Sequence, residues 1–175
     1  MDDAHRARIE AMRKEKDEWF RRSPHSPLEH RGSFSGLSYY PVEPALRFRA
    51  TLVRHAEPKA IVMQTSDGDA REYRNVGHFE VAIDGQPVKV QAYQTPGAHE
   101  LFVPFRDKTS GKETYGAGRY LDLHPVAAGD VFDLDFNLAY NPMCAYNEAF
   151  SCPFPPPENW LQVPIRAGER TYEAP

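Results

Sequence analysis

The chain of 175 residues has ordinary hydrophobic and charged fractions, 41% and 26%, which fit one soluble domain that buries a core without disulfides or metals. Its net charge of −4 provides no basic field, so we expect no nucleic acid as a partner. No segment approaches the ~20 apolar residues of a membrane span, and the amino terminus has no apolar export signal. We therefore expect a cytoplasmic protein that does not contact a membrane.

Residues 3–22 have the pattern of an amphipathic helix. The apolar residues fall near one stripe of that helix: Ile9, Met12, Trp19 and Phe20. Ser23-Pro24 ends it, because proline disfavours the helical conformation in the residue before it. We divide the chain into an N-terminal helical arm, residues 1–22, and a single β domain, residues 23–175. The arm is interpreted chiefly as a packing element, with a lid or a homodimer contact as the functional alternatives.

From residue 46 the hydrophobic period changes to two, which is typical of half-buried antiparallel strands. Asp84-Gly85 predicts a type I′ hairpin, since Asp-Gly supplies the positive φ angles that this turn requires. The predicted fold is mainly β, an antiparallel small barrel or sandwich with an N-terminal α-helix. Strands separated by turn signals are expected at 46–52, 61–65, 70–74, 79–83, 88–92, 101–105, 119–123, 131–137 and 160–165.

The stretch from Val131 to Asn159 begins as a strand and then loses all periodicity. Loops of this length within compact domains are usually functional or disordered. This one is rich in Tyr, Phe and Cys and poor in charge, so solvated coil is disfavoured. We predict a long ordered loop near the C-terminus, packed on the β scaffold.

Polar side chains alternate with apolar ones in the strand that leads into this loop. Asp133, Asp135 and Asn137 share one face, with ~7 Å between successive members, while the residues between them take the other face. Two carboxylates on one face could act as acid and base or bind a hard cation. A solvated strand face is the alternative, since polar-out alternation is usual in antiparallel sheets.

Two further features could contribute to a site. Arg119 follows a glycine pair, and its planar guanidinium suits a carboxylate or phosphate; the alternative is a salt bridge to an acid such as Asp133 or Asp135. Cys144 and Cys152 lack the spacing of a zinc site and have no histidine placed beside them. We interpret them as buried thiols close enough to oxidise together, and predict no metal and no cofactor.

Long motifs run through most of the chain. They are Phe105-x-Asp107-x-Thr109-x-Gly111-x-x-Thr114-Tyr115, Gly118-Arg119-Tyr120-Leu121, Asp135-Phe136-Asn137-x-Ala139-Tyr140-Asn141-Pro142-x-Cys144-Ala145-Tyr146-Asn147, Cys152-Pro153-x-Pro155-Pro156, Asn159 and Ile165-x-x-Gly168-Glu169. On these residues the chain resembles a family of uncharacterised bacterial and archaeal proteins, catalogued as a domain of unknown function. The resemblance implies no activity. It implies that the polar residues of these motifs belong to one characteristic set, a pocket or a structural clasp.

Three hypotheses follow. In the first, a small-molecule ligand, which could be anionic, binds between the 107–119 turn and the 133–159 strand and loop. In the second, an enzyme uses the same pocket with Asp133 or Asp135 as acid or base. In the third, the loop 138–159 only covers a β edge or closes a dimer. The candidate ligand-binding residues are Thr109, Tyr115, Arg119, Asp135, Asn137, Tyr140, Asn141, Cys144 and Asn159.

Overall fold

The structure, a computed structural model, describes residues 3–173; the first two residues of the predicted arm and the last two of the predicted β domain lie outside them. Helix α1 spans Asp3–Arg22, as predicted. It has an acid in its first turn and two arginines in its last, which suits the helix dipole. Within the described residues, no helix is both long and apolar enough to cross a membrane.

Eight strands follow α1 in the described part of the chain, all paired antiparallel. Their bounds are β1 Arg47–Thr51, β2 Val53–Gln64, β3 Ala70–Ile83, β4 Gln86–Gln94, β5 Leu101–Phe105, β6 Arg119–Leu123, β7 Pro125–Ala127 and β8 Val131–Asp135. One sheet has the order β2-β3-β4-β5-β6 and the other β1-β8-β7. The mainly β, antiparallel prediction is confirmed. The two sheets do not close into one barrel across residues 3–173, which is compatible with the sandwich alternative.

The predicted hairpins are present. Asp84 and Gly85 have φ angles of 51° and 73°, so the β3–β4 turn has the two positive φ values expected of Asp-Gly. β2 and β3 are joined through the pair Gln64 and Ala70. The two turns set the pairing of the strand ends that they join, Gln64 with Ala70 and Ile83 with Gln86.

The main core lies between the two sheets. Phe79 of β3 meets Phe132 of β8 edge to face, with ring centroids 5.5 Å apart. Val90, Val103 and Leu134 belong to the same buried cluster and are fully enclosed. Each such side chain contributes about 1.5–3 kcal/mol by leaving water. This core holds β8 in place up to Asp135, where the candidate site begins.

Two strand predictions near the C-terminus need correction. β8 ends at Asp135, whose side chain accepts from the Asn137 N–H and starts the short 3-10 helix Phe136–Leu138. Leu138 is therefore 37% exposed instead of sharing the buried face with Phe136. Strand β7, read from sequence as a turn, was missed.

The strand expected at 160–165 is wrong. This segment makes only isolated backbone bonds beyond the end of β5: Leu161 N–H donates to Arg106 O at 2.7 Å, and Lys108 N–H donates to Val163 O at 3.0 Å. Pro164 has no N–H to extend the ladder. The apolar alternation instead reflects docking of the segment on the core, which buries Ile165.

The long ordered loop is confirmed. Residues 138–159 contain two short 3-10 helices, Met143–Ala145 and Pro157–Asn159, and otherwise irregular chain. Tyr140 exchanges two backbone hydrogen bonds with Tyr120, of 2.8 and 3.0 Å, which ties the start of the loop to β6. The loop is thus packed on the sheet, as its aromatic composition predicted.

Candidate functional site

Helix α1 is attached to the β domain by a row of polar contacts along one side. His5 Nε2 lies 2.7 Å from Asp135 Oδ2, and both side chains are buried. One turn after Ile9, Arg13 Nη1 donates to Tyr40 O at 2.8 Å. Lys16 then forms an ion pair with the buried Glu169. The three contacting residues are eight and three positions apart, which places them on one face of the helix. That face is therefore held against the domain.

A depression, which we call the helix groove, opens beside this row, between α1 and residues 137–140. Its volume is about 510 Å³, which lies in the ~300–1,000 Å³ range of small-molecule sites. The helix contributes Ile9, Met12, Arg13, Glu15, Lys16 and Trp19. The β domain contributes Tyr39, Asp122, Asn137, Leu138, Ala139, Tyr140 and Glu169.

The groove exposes an unusual amount of apolar surface. Met12 is 44% exposed, Trp19 41% and Leu138 37%. They belong to the exposed large apolar side chains of residues 3–173, and all three line one depression. Clustered apolar exposure of this kind marks a binding surface more often than scattered single residues do.

Arg13 provides a cation at the wall of the groove. Its Nη1 is bonded to Tyr40 O, and its guanidinium carbon lies 4.6 Å from the centre of the Tyr39 ring. Its Nε and Nη2 are buried yet have no hydrogen-bond partner among the described residues. Burial lowers the pKa of Arg13, against the attraction of nearby acids. Buried N–H groups without an acceptor are costly, so this side chain can take an anion.

Tyr39 provides a second polar group, from the β-domain side of the groove and beside Arg13. Burial, and then the charge of Glu169, raises the pKa of Tyr39, so its hydroxyl stays a donor at neutral pH. That hydroxyl donates weakly to Asp17, at 3.4 Å. The groove thus combines the polar groups of Arg13 and Tyr39 with the exposed apolar side chains.

Asp135 and Asn137 are brought together, but they bond to each other and to the protein. Asp135 Oδ1 accepts from the Asn137 backbone and side-chain amides at 3.0 and 2.8 Å, and Oδ2 lies against His5. The Asn137 amide also exchanges two hydrogen bonds with the backbone of Glu43. Asp133 points elsewhere and forms a bidentate pair with Arg47 at 3.0 Å. An acid or base role for either aspartate stays a prediction.

Tyr140 continues the groove wall, and Asn141 lies directly behind it. The Tyr140 hydroxyl donates to Asp122 at 2.5 Å, and the Lys16 ammonium lies 5.1 Å from the centre of its ring. Asn141 lies behind the wall: its Nδ2 donates to Arg170 O at 3.0 Å, while its buried Oδ1 has no partner within residues 3–173. Of the predicted set, these two residues, Asp135 and Asn137 therefore gather at the groove or directly behind it.

Arg119 and Thr109 occupy a separate, fully enclosed place. The Arg119 guanidinium donates to the backbone carbonyls of residues 165, 167 and 169, and lies 3.6 Å from Asp107. Thr109 donates to the same Asp107 carboxylate at 2.9 Å. The acid partner of Arg119 is thus Asp107, where the sequence suggested Asp133 or Asp135. We call this arrangement the arginine clasp; a ligand role for its members stays a prediction.

The remaining predicted residues are distributed over two further places. Asn159 links strands: its Nδ2 donates to Pro104 O and its amide exchanges two bonds with Gln91. Tyr115 lies at the cysteines, with its hydroxyl 3.6 Å from Cys144 Sγ. Neither lines the helix groove, so the nine candidates do not form one pocket.

Sequence reasoning missed the helix side of the site. Arg13, Lys16 and Tyr39 were not candidates, and Glu169 was noted only as part of a closing motif. One signal was present: Arg13 and Lys16 fall within the stripe that carries Ile9 and Met12, where a packing helix would have apolar residues. Two cations inside such a stripe indicate hydrogen-bond or ion-pair partners on the surface that the helix covers.

The comparisons with known proteins agree with this architecture. Residues 32–170 match the family described as proteins of unknown function, DUF1684, so the chain belongs to that family. It is also similar to an uncharacterised protein of Haloarcula marismortui solved by solution NMR, with 41% identity and a TM-score of 0.73. The match covers 97% of this chain and 95% of the other, helix included. A comparison with curated proteins finds no match.

Proposed function

We propose that the protein binds a small molecule, with an anionic group and an apolar body, in the helix groove. The observation that carries the proposal is Arg13, whose buried Nε and Nη2 have no acceptor among the described residues. A carboxylate or similar group would accept from both in a bidentate contact once the side chains that cover the guanidinium move aside. The proposed anion-binding residue is therefore Arg13. Arg119, the candidate from sequence, already donates to three backbone carbonyls.

The apolar body of the ligand follows from the rest of the groove. Met12, Trp19 and Leu138 would each lose exposed surface to a bound molecule. At about 25 cal/mol per Å² of apolar area, covering such side chains is the main source of affinity in a small site. The Lys16 ammonium is already paired with Glu169, so it does not compete with Arg13 for the anion, and the Asp122 carboxylate accepts from the Tyr140 hydroxyl.

The two cysteines bear on where the protein acts. Both are free and buried, and free thiols are typical of reducing compartments. This supports the cytoplasm as the site of action. Nothing in the groove requires a second copy of the chain, and the homodimer stays a prediction from sequence.

The test uses defined probes. Binding of anilinonaphthalene sulfonate, an apolar fluorophore with one anionic group, is followed by fluorescence, and octanoate and octanol are compared as competitors. We expect octanoate to compete and octanol to compete more weakly, since only the carboxylate reaches Arg13. Hydrogen bonds to charged groups contribute about 1.5–3 kcal/mol, so Arg13→Gln should weaken octanoate roughly 10- to 100-fold.

The control variant is Arg8→Gln, on the same helix. Arg8 is exposed and does not line the groove, so this change removes the same charge without removing the contact. Melting temperatures of both variants show whether the fold is intact. Equal loss of octanoate in the two variants, or no preference for octanoate over octanol, contradicts the proposal.

A further inference from the structure

The two cysteines lie side by side at the base of the long loop. Cys144 N–H points at Cys152 Sγ, 3.3 Å away. The segment that joins them, residues 145–151, turns back through bonds such as Phe150 N–H to Asn147 O at 3.2 Å. The eight-residue separation in sequence is therefore closed in space, with the Cys152 sulfur lying against the backbone of Cys144.

The surroundings of Cys144 favour a thiolate. The Tyr115 hydroxyl lies 3.6 Å from its sulfur. Donation from the Cys152 thiol, and then from Tyr115, lowers the pKa of Cys144, while the same contact with Cys144 raises the pKa of Cys152. One sulfur of the pair is thus set up as the attacking group, and the other retains its proton.

Access to the pair is limited but present. Each cysteine is 7% exposed. The covering segment is exposed at Glu148, Ala149 and Phe150 and half-buried on either side of them. Small local openings of an exposed segment need little free energy, so a molecule as small as a hydroperoxide reaches the sulfurs before a protein partner does.

We propose that Cys144 and Cys152 form a reversible intramolecular disulfide when the protein meets hydrogen peroxide. The Cys144 thiolate attacks one peroxide oxygen; the O–O bond breaks, a sulfenic acid forms on Cys144, and hydroxide leaves and takes up a proton. Cys152 then gives up its proton and attacks the Cys144 sulfur; the S–O bond breaks, water leaves and the S–S bond forms. Two electrons pass from the thiols to the peroxide, which ends as two waters.

The tyrosine has a positioning role in this reaction. Tyr115 touches Cys144 but does not exchange electrons or bonds. Without its hydroxyl the thiolate loses one donor, so oxidation slows, most clearly at a pH where only part of the thiol is ionised. Tyr115→Phe keeps the ring and its packing, which separates the hydroxyl from the shape of the residue.

The experiment treats the reduced full-length protein with hydrogen peroxide, blocks remaining thiols and measures the intact mass. We expect loss of two hydrogens, no reaction with the blocking reagent, a Cys144–Cys152 linked peptide after digestion, and recovery with dithiothreitol. In Cys152→Ser the reaction should stop at a sulfenic acid that dimedone traps on Cys144. In Tyr115→Phe the same disulfide should form severalfold more slowly, with the difference shrinking as pH rises.

Several results would overturn the proposal. They are stepwise gain of oxygen on either cysteine without loss of two hydrogens, linkage between two chains in place of one, and thiols that react in unfolded but not in folded protein. Circular dichroism of the Cys152→Ser variant guards against a folding defect, and the linked peptide of the unaltered protein tests the disulfide independently of any variant.

Discussion

The arginine clasp gives the sharpest prediction about stability. In Arg119→Met, a side chain of similar length replaces a guanidinium that is fully buried. Three backbone carbonyls in the segment 165–169 lose their donor, and the Asp107 carboxylate loses its cation at 3.6 Å. The carbonyls and the carboxylate are then left in the interior without those partners, which is the costly outcome for buried polar groups.

The magnitude follows from those contacts. Removing one partner of a buried ion pair costs about 3–5 kcal/mol. The carbonyls that lose their donor add a further destabilisation. The variant also no longer has to bury a charged arginine, which offsets part of that destabilisation, so we expect the total loss of unfolding free energy to stay near that range. This is a large share of the ~5–15 kcal/mol that holds a domain together. The free energy of unfolding of Arg119→Lys should lie between those of the unaltered protein and Arg119→Met, since one ammonium cannot reach three carbonyls at once.

The measurement is urea unfolding followed by fluorescence and by circular dichroism. With a slope of about 2 kcal/mol per molar urea, the midpoint of Arg119→Met should fall by about 2 M. The control is Arg49→Met on β1, where the arginine is exposed and the expected change is within about 0.5 kcal/mol. A loss below about 1 kcal/mol in Arg119→Met, at unchanged slope, would refute the assignment of these contacts as the main anchor of the C-terminal segment.

Two further predictions concern a close approach and the buried phenols. Gly168 has φ of +80°, and an added Cβ would meet Ala139 O at 2.6 Å, so Gly168→Ala should cost about 2–4 kcal/mol; Gly97→Ala, with φ of +86° and no neighbour within 4 Å, should show only the conformational part in the same urea assay. Burial raises the pKa of Tyr93 and Tyr120 in the folded chain, so the unfolded chain loses its phenolic protons first. Their contribution to the free energy of unfolding is intact below about pH 10 and is lost above it, by up to ~1.4 kcal/mol per pH unit for each tyrosine. Tyrosinate absorbance that appears near pH 10 with the fold intact, and that disappears in Tyr93→Phe or Tyr120→Phe, would contradict this.

Local rules explain why much of the fold was predictable. The β3–β4 hairpin needed only Asp84-Gly85 and the alternation on either side, because turn type and strand period depend on neighbours in sequence. Helix α1 needed only its stripe and the proline after Arg22. The order of the loop followed from composition, because a chain so rich in aromatic residues gains by packing.

The long-range partners were not predictable in the same way. Trp160 to Ile165 has the alternation of a strand, but its neighbours are the end of β5 and the arginine clasp, which a period of two cannot distinguish from a sheet. Arg119 was correctly singled out as unusual, yet its partners lie 46 to 50 residues away at backbone carbonyls, which carry no side-chain signal. The groove could not be predicted for the same reason, because its two walls, α1 and residues 137–140, are distant in sequence.

Glu169 shows why the groove has to be tested at Arg13. Its buried carboxylate accepts from Lys16 of α1, from the Tyr146 hydroxyl between the two cysteines, and from the Asn141 backbone at 3.4 Å. A substitution there would release three segments at once, because each donor would lose a buried acceptor. Loss of binding would then be indistinguishable from loss of the helix wall. At Arg13 the two N–H groups assigned to the ligand have no other partner among the described residues, and one further hydrogen bond, from Nη1 to Tyr40 O, is lost with them. The melting temperature of Arg13→Gln therefore shows how far the substitution acts on the helix wall rather than on binding.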